Sequence, residues 1–310
     1  MNKNLKNLNG VGPSKVFLPE GPYLTVLDFL ERRFPRGTRI GWEKRMQAGR
    51  VLNQDGLVLH PNTGYLPNSI VYYYREVVEN FVIPFQENII YEDEYLLVAD
   101  KPHYLPVTPV GPYLQETLLV RLRQRTGIDE LSAVHRLDLE TAGLVMFTKQ
   151  ANMRNVYAGL FRNRLVDKTY LAVASYTDLH TWPMEYKSRI ANSQQFMKMQ
   201  DMEGDENAIT RIHLIERSGN QALYQLKPLT GKKHQLRVHM NALGIPILHD
   251  QIYPSMKAYV EPQVRNYSKP MQLLAKSLAF IDPMTGHGHY FESQLKLQWP
   301  KIDLIDQSEI

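Results

Sequence analysis

Apolar residues in this chain fall in short runs, and that grouping narrows what it can fold into. Segments 95–99, 144–147, 170–174, 209–215 and 222–226 read as strands, the last closed by Pro228. Helical spacing is rarer. Met153, Val156, Tyr157, Leu160 and Phe161 recur at i, i+3, i+4, i+7 and i+8, one face of an amphipathic helix. Shorter helices are expected over 118–125 and over 234–243, the latter stopped by Gly244. Strands outnumber helices, and no segment repeats. Between 181 and 206 little regular pattern is evident; Met184, Met197, Met199 and Met202 read as gap-fillers beneath a loop.

The first 85 residues read as a separate piece. Residues 1–20 are polar, rich in Asn, Lys and Gly, and are expected to form a flexible leader. Val26, Phe29 and Leu30 then open a helix that ends near Pro35. A second helix is expected over 42–48 before Gly49, and β-prone segments follow at 51–52, 57–59 and 69–76. Helix, helix and small strands in close succession point to a small α+β module over 21–85. Pro84 and the polar stretch 86–88 read as the way out of it, leaving 86–310 as the main domain.

Several classes of protein are excluded or disfavoured. No apolar run approaches the roughly 20 residues that span a bilayer. Residues 1–20 lack a hydrophobic signal core, so a cytoplasmic protein without a membrane partner is expected. None of the 310 residues is cysteine, which excludes disulfide scaffolds, thiol-based zinc sites and cysteine nucleophiles. The ten histidines form no H-x-x-x-H pair, so no metal site is expected. Thr230-Gly231-Lys232-Lys233 lacks the upstream glycine of a phosphate-binding loop, and no G-x-S-x-G elbow occurs, so no cofactor is expected. The net charge is +4 and the isoelectric point about 9.0, a lean towards a polyanionic partner. Residues 1–50 carry ten Lys or Arg against four acids, an excess of six. Two further basic groups lie at Arg121, Arg123 and Arg125, and at Arg154, Arg162, Arg164 and Lys168.

Three clusters have the residue types that chemistry needs. Asp100-Lys101-Pro102 follows a strand directly. His135-Arg136-Leu137-Asp138-Leu139-Glu140-Thr141 crowds polar groups into a few residues that run straight into the apolar segment at Leu144, the place where a rigid strand presents catalytic side chains. Residues 230–239 place Arg237 on a short helix whose apolar face is Leu236, Val238 and Met240. There it can pair with a buried carboxylate and keep it ionised.

The ten residues from His135 to Leu144 resemble the signature of the RluA-type pseudouridine synthases, H-R-L-D-x-x-T-[SA]-G-L. The resemblance continues in order through Lys101-Pro102, Lys168-x-Tyr170 with Ala172, and Thr230-Gly231-x-x-His234-Gln235-Leu236-Arg237-Val238-His239. Gly244-Ile245-Pro246-Ile247, Asp250, Tyr253, Leu274-Ala275, Phe280 and Pro283 extend it, so that it covers roughly 91–300. Lys232-Lys233 stands where the family commonly has Arg-Thr, His249 where glycine is usual, and Ala142 where serine is commoner.

The resemblance implies an α+β domain with a mixed, largely antiparallel sheet, and an enzyme that isomerises uridine in structured ribosomal or transfer RNA without a cofactor, acting as a monomer. It implies that Asp138 is the essential carboxylate, acting as nucleophile or base, that Arg237 pairs with it, and that Tyr170 stacks on the target uracil. It also implies that Arg136 enters the RNA where the base is extruded, with Lys168, Lys101, Lys232, Lys233 and His234 as further RNA contacts. His135 and Thr141 are read as orienting the loop. The piece over 21–85 is similar, through Val26, Phe29, Trp42, Gly49-Arg50-Val51 and 73–76, to the small RNA-binding module that often precedes these domains. Two rivals remain at this point: an RNA-binding protein of the same fold without catalysis, and a hydrolase built on Ser132, His135 and Asp138.

Overall fold

The computed structural model describes residues 5–35, 37–76, 81–195 and 197–299; Lys3 and Arg36 of the N-terminal basic set lie outside them. Contacts divide the chain into two bodies, one made of 1–79, 111–115 and 120–129, the other of 80–110, 116–119 and 130–310.

The first body contains β1 (Ser14–Leu18), α1 (Val26–Arg33), α2 (Arg39–Gln47), β2 (Val51–Leu52) and β3 (Ser69–Tyr73). Thr25 starts α1 with a capping box: its hydroxyl accepts the Asp28 amide, and the Asp28 carboxylate accepts the Thr25 amide. Thr38 caps α2 by accepting from the Gly41 amide. The helices bury Val26, Leu27, Phe29, Leu30, Trp42 and Met46 together with Val16 and Leu18 of β1, Val51 and Val71. The strands form an antiparallel sheet in the order β1-β3-β2. Ser14–Leu18 is thus a paired strand where a flexible leader was expected. Val16 and Leu18 alternate with outward-facing residues and give it a buried face. Residues 57–59 contribute only a bridge from Val58 to Leu52. Arg123 of α3 (Leu118–Thr126) donates to the Gly10 carbonyl at 2.9 Å.

The second body is built on β4 (Asn88–Glu92), β5 (Leu96–Lys101), β6 (Ser132–Ala133), β7 (Ala142–Thr148), β8 (Asp167–Ser175), β9 (Met184–Asn192), β10 (Met199–Met202), β11 (Ala208–Ser218), β12 (Gln221–Pro228), β13 (Leu273–Ile281) and β14 (Gly288–Glu292). They form one sheet in the order β10-β9-β11-β12-β8-β13-β7-β5-β4, with β6 on β7 and β14 on β13. Among the described strands β13 and β7 run parallel and the other pairs antiparallel. The fold is α+β, with a mixed, largely antiparallel sheet. Every residue of β5 and β7 is buried, as central strands covered on both faces must be. α4 (Arg154–Arg162) lays Tyr157 and Leu160 on Val98, Leu144 and Met146. α5 (Gln235–Ala242) packs Leu236 and Met240 against Ala172, Ile212 and Leu226.

Two departures from the sequence reading matter for the site. The stretch read as a methionine-lined loop supplies β9 and β10. In β9, Ser188 and Ile190 are buried and alternate with exposed Lys187 and Arg189, while Met199 is buried in β10 and Met197 and Met202 are exposed. α5 is also not one-sided: everything from Gln235 to Met240 is buried. Its polar groups are paired internally, His239 bonding Thr210 and Ser188 through its two ring nitrogens. Among the described residues no helix is long and apolar enough to cross a membrane.

Candidate active site

Asp138 sits in the turn before β7, and Gly143 fixes where that turn enters the sheet. Gly143 has φ +112°, and a Cβ there would lie 2.3 Å from the Ala275 carbonyl oxygen of β13. Both the backbone conformation and the close approach of the parallel strand require glycine. The Thr141 amide donates to the Asp138 carbonyl at 3.2 Å and closes the turn. Lys101, at the end of β5, holds the same turn from beneath, its Nζ donating to Pro102 O at 2.9 Å and Leu139 O at 3.2 Å.

Arg237 joins the turn to the rest of the body. Its Nε and Nη2 donate to the two oxygens of Asp250, both at 2.7 Å, and its Nη1 donates to Asp138 Oδ2 at 3.1 Å. The Glu140 carboxylate lies 3.8 Å from Nη2. Burial alone would lower the Arg237 pKa, but the Asp250 hydrogen bonds and the charges of Asp250, Asp138 and Glu140 outweigh it and hold the guanidinium protonated. Asp250 is itself clamped, accepting from the amides of Ile252 and Tyr253. Asp250 entered the sequence reading only as a point of resemblance; a fork-shaped cation in a buried helix needs a planar partner, and that is the signal that marks it. His249, in the place of the usual glycine, adopts φ +65° and bonds the Pro270 carbonyl. The departure keeps the left-handed turn that brings Asp250 to Arg237.

A cavity of about 250 Å³ opens over Asp138. Arg136, Leu137, Thr141, Lys168, Tyr170, residues 230–237 and Leu273 are among its lining. Asp138, Tyr170 and Arg237 therefore meet in one place, with Arg136, Lys168, Lys232, Lys233 and His234 around them. Burial, then the charge of Asp138, pushes the Tyr170 hydroxyl well above its ordinary value and keeps it protonated. Burial lowers the Lys168 ammonium, whose Nζ donates to the Thr230 carbonyl at 3.2 Å. Arg136, Lys232 and Lys233 are exposed, as groups that meet phosphate must be. Gln235 shapes the 230–234 loop: its Oε1 accepts from the Thr230 hydroxyl and the Lys232 amide, and its Nε2 donates to Ile209 O and Thr210 Oγ1.

Two of the expected RNA contacts are placed differently. Lys101 is fully buried and pushed down to about 7 by burial, against the opposing charges of Asp138 and Glu140. It supports the Asp138 turn and does not face phosphate. His234 is also buried, and burial pushes its imidazole down to about 4, so it is neutral at pH 7 and is no phosphate cation. It caps α5 with φ +57° and points Nε2 at Asp138 Oδ2, 3.8 Å away. His135 accepts from the Met146 amide through Nε2 and stacks on Phe161 at 4.3 Å. Neither Ser132 nor Asp138 bonds it among the described residues, so the hydrolase triad is not assembled. The Thr141 hydroxyl is buried without a hydrogen-bond partner among the described residues, so this side chain does not orient the loop. Asp100 is structural: its carboxylate accepts from Ser293, Gln294 and Leu295.

A family model described as RNA pseudouridylate synthase matches residues 95–242, which span the Asp138 turn, Tyr170 and all of α5. The dual-specificity RNA pseudouridine synthase RluA of Vibrio cholerae is 30% identical over 210 residues, 63% of this chain and 78% of that protein. The chain belongs to the RNA pseudouridylate synthase family. The RluA of Haemophilus influenzae is 30% identical over 217 residues, covering 67% of this chain and 92% of that one. An uncharacterized RNA pseudouridine synthase of Synechocystis is 27% identical over 233 residues, 79% of its length. Human RNA pseudouridylate synthase domain containing 4 superposes with a TM-score of 0.51 at 26% identity, over 67% of this chain and 88% of that one. Human RNA pseudouridylate synthase domain containing 1 shares the fold, with a TM-score of 0.54 at 23% identity, over 67% of this chain and 83% of that one. As a member of the family, this chain is an RNA-modifying isomerase and its substrate is RNA.

Proposed function

We propose that this synthase isomerises uridine in structured ribosomal or transfer RNA, with Asp138 as the reacting carboxylate. The observation that carries the reading is the ionised Arg237, locked by Asp250, whose remaining Nη1 reaches Asp138 in a cavity shared with Tyr170. A nucleophile or base has to be a carboxylate rather than a carboxylic acid, and an adjacent buried cation favours that form. In the isomerisation the bond from uracil N1 to C1′ breaks, the base turns, and C5 bonds C1′. The C5 proton is lost and N1 gains one, so no redox partner is needed. Asp138 acts at the sugar or the base, and Tyr170 supplies the face on which the uracil stacks.

At about 250 Å³ the cavity is smaller than the roughly 300–1,000 Å³ of typical ligand pockets, which suits one extruded base rather than a larger ligand. Arg136 occupies the place of the base it displaces, while Lys168, Lys232 and Lys233 meet the backbone phosphates. The first body, with β1 paired into its sheet, is an RNA-binding module whose lysines and arginines add a sequence-independent grip, and the second body is the catalytic domain. The protein works as a cytoplasmic monomer. Mapping pseudouridine in ribosomal and transfer RNA from cells with and without the protein tests the target. Loss of at least one site is expected, and unchanged maps in both RNA classes would contradict it.

A further inference from the structure

His234 lines the Asp138 cavity with a ring nitrogen that the reading above leaves unused, and the groups around it bear on which nitrogen carries its proton. Nδ1 lies 3.1 Å from the Tyr253 hydroxyl. That hydroxyl is already committed to β10, the edge strand of the sheet. It accepts from the Met199 amide and donates to the Met199 carbonyl, both at 3.0 Å. A phenol has one proton; placed on the Met199 carbonyl at 3.0 Å, it leaves the Tyr253 oxygen to accept from the imidazole. In this arrangement Nδ1 carries hydrogen and Nε2 carries a lone pair. Tyr253 is buried and is itself fixed by Asp250, which accepts its backbone amide. The tautomer is thus set by the same loop that locks Arg237.

The bare Nε2 faces Asp138 Oδ2 across 3.8 Å. Two acceptors at that separation have no proton between them and form no bond to each other. Oδ2 has Arg237 Nη1; Nε2 has no donor among the described residues. The charged groups acting on the imidazole (Asp138, Arg237, Lys233 and Asp250) are of both signs, and burial keeps it neutral at pH 7. A bound substrate can bring that donor. A uridine inside an RNA chain carries its hydrogen-bond donors at N3 and at the ribose 2′-hydroxyl. Where Asp138 acts at C1′, the 2′-hydroxyl oxygen is two bonds from the reacting carbon and N3 three, which favours the hydroxyl as the donor brought to Nε2.

We propose that His234 Nε2 accepts a hydrogen bond from the ribose 2′-hydroxyl of the target uridine, making His234 the residue by which this site tells RNA from DNA. The inference rests on the Asp138 reading, and it assigns a specificity role rather than a step in the chemistry. The 2′-hydroxyl is the feature through which a protein distinguishes the two nucleic acids at a given position. A site built to pair a hydroxyl rejects a substrate that lacks it, because its own polar group is left unpaired.

The test has a part without substrate and a part with it. In 15N NMR of the intact protein at pH 7, the His234 ring is expected to be neutral with hydrogen on Nδ1; hydrogen on Nε2 with a bare Nδ1 would overturn the proposal. The second part uses a stem-loop RNA bearing the uridine found by mapping, made with uridine or 2′-deoxyuridine at that position. The wild type is expected to lose at least about tenfold in kcat/KM on the deoxy substrate. His234→Phe should be slower on the ribose substrate and show little further loss on the deoxy one. His234→Gln, which keeps an acceptor oxygen, should recover part of the discrimination. Undiminished discrimination in folded His234→Phe, or none in the wild type, would refute the role. If the wild type turned over no RNA at all, the Asp138 reading would fail, while the 15N spectrum would still decide the tautomer.

Discussion

At the residue scale, the site depends on a hierarchy of carboxylates around one guanidinium. Asp250 takes two of the Arg237 hydrogen bonds at 2.7 Å, and Asp138 takes a longer third at 3.1 Å. Asp250→Asn keeps the size of the side chain but gives up half of the fork. It is expected to lower kcat by at least about tenfold with a smaller effect on KM, because Arg237 loses its aim at Asp138 while phosphate contacts remain. Steady-state kinetics on one RNA substrate checks this, and an unchanged kcat would show that Asp250 positions nothing. Thr141→Val makes the opposite kind of test. Its hydroxyl is buried and unpartnered, so an isosteric methyl should leave the urea midpoint unchanged or raise it.

At the scale of elements, the Asp138 turn was legible because its letters and its place coincide: a polar run that feeds straight into buried β7. Legible too were Arg237 on α5 and Tyr170 on β8. The clamp behind them was not. Asp250 and Tyr253 lie in a loop with no periodicity, and nothing in local spacing says that one will reach Arg237 and the other His234. β9 hid for a different reason. Ser188 occupies a buried position in its alternation and bonds His239, so the hydrophobic count broke although the period of two did not. β1 was masked by the polar residues before it. Leu18 of that strand is fully buried, and Leu18→Ala should cost about 2–5 kcal/mol by denaturant unfolding. Gly143→Ala should be as severe: it combines a left-handed backbone with a Cβ 2.3 Å from β13, for at least about 2 kcal/mol or outright failure to fold.

For the molecule as a whole, buried imidazoles set the response to acid. His103, His234 and His239 are pushed down to about 4 and His135 to about 3, in each case mainly by burial. The unfolded chain takes up these protons from about pH 6.5 downward, and the folded chain does not until near pH 4. The unfolded state binds more protons in that window, so the stability present above pH 6.5 is lost as pH falls towards 4. Glu140 acts oppositely, since burial pushes its carboxyl up to about 7 and its contribution is lost as pH rises from 4.5 to 7. Burial raises the Asp100 carboxyl in the same sense, so two groups stand against four imidazoles among the described residues. The urea midpoint is expected to be lower at pH 5 than at pH 7, and a flat or inverted profile would contradict the buried-neutral assignment. RNA affinity should fall with salt, and Lys232→Ala and Lys233→Ala should each reduce the slope of log K against log salt by about 1.

Asp138, hydrogen-bonded by Arg237, is proposed to carry out the isomerisation. Its most direct test is tritium release from RNA labelled at C5 of uridine, because the proton at that carbon leaves only if the new bond has formed. The wild type should release tritium, and Asp138→Asn, equal in shape but without the charge, should fall by at least about a hundredfold. Release by Asp138→Asn at the wild-type rate would contradict it.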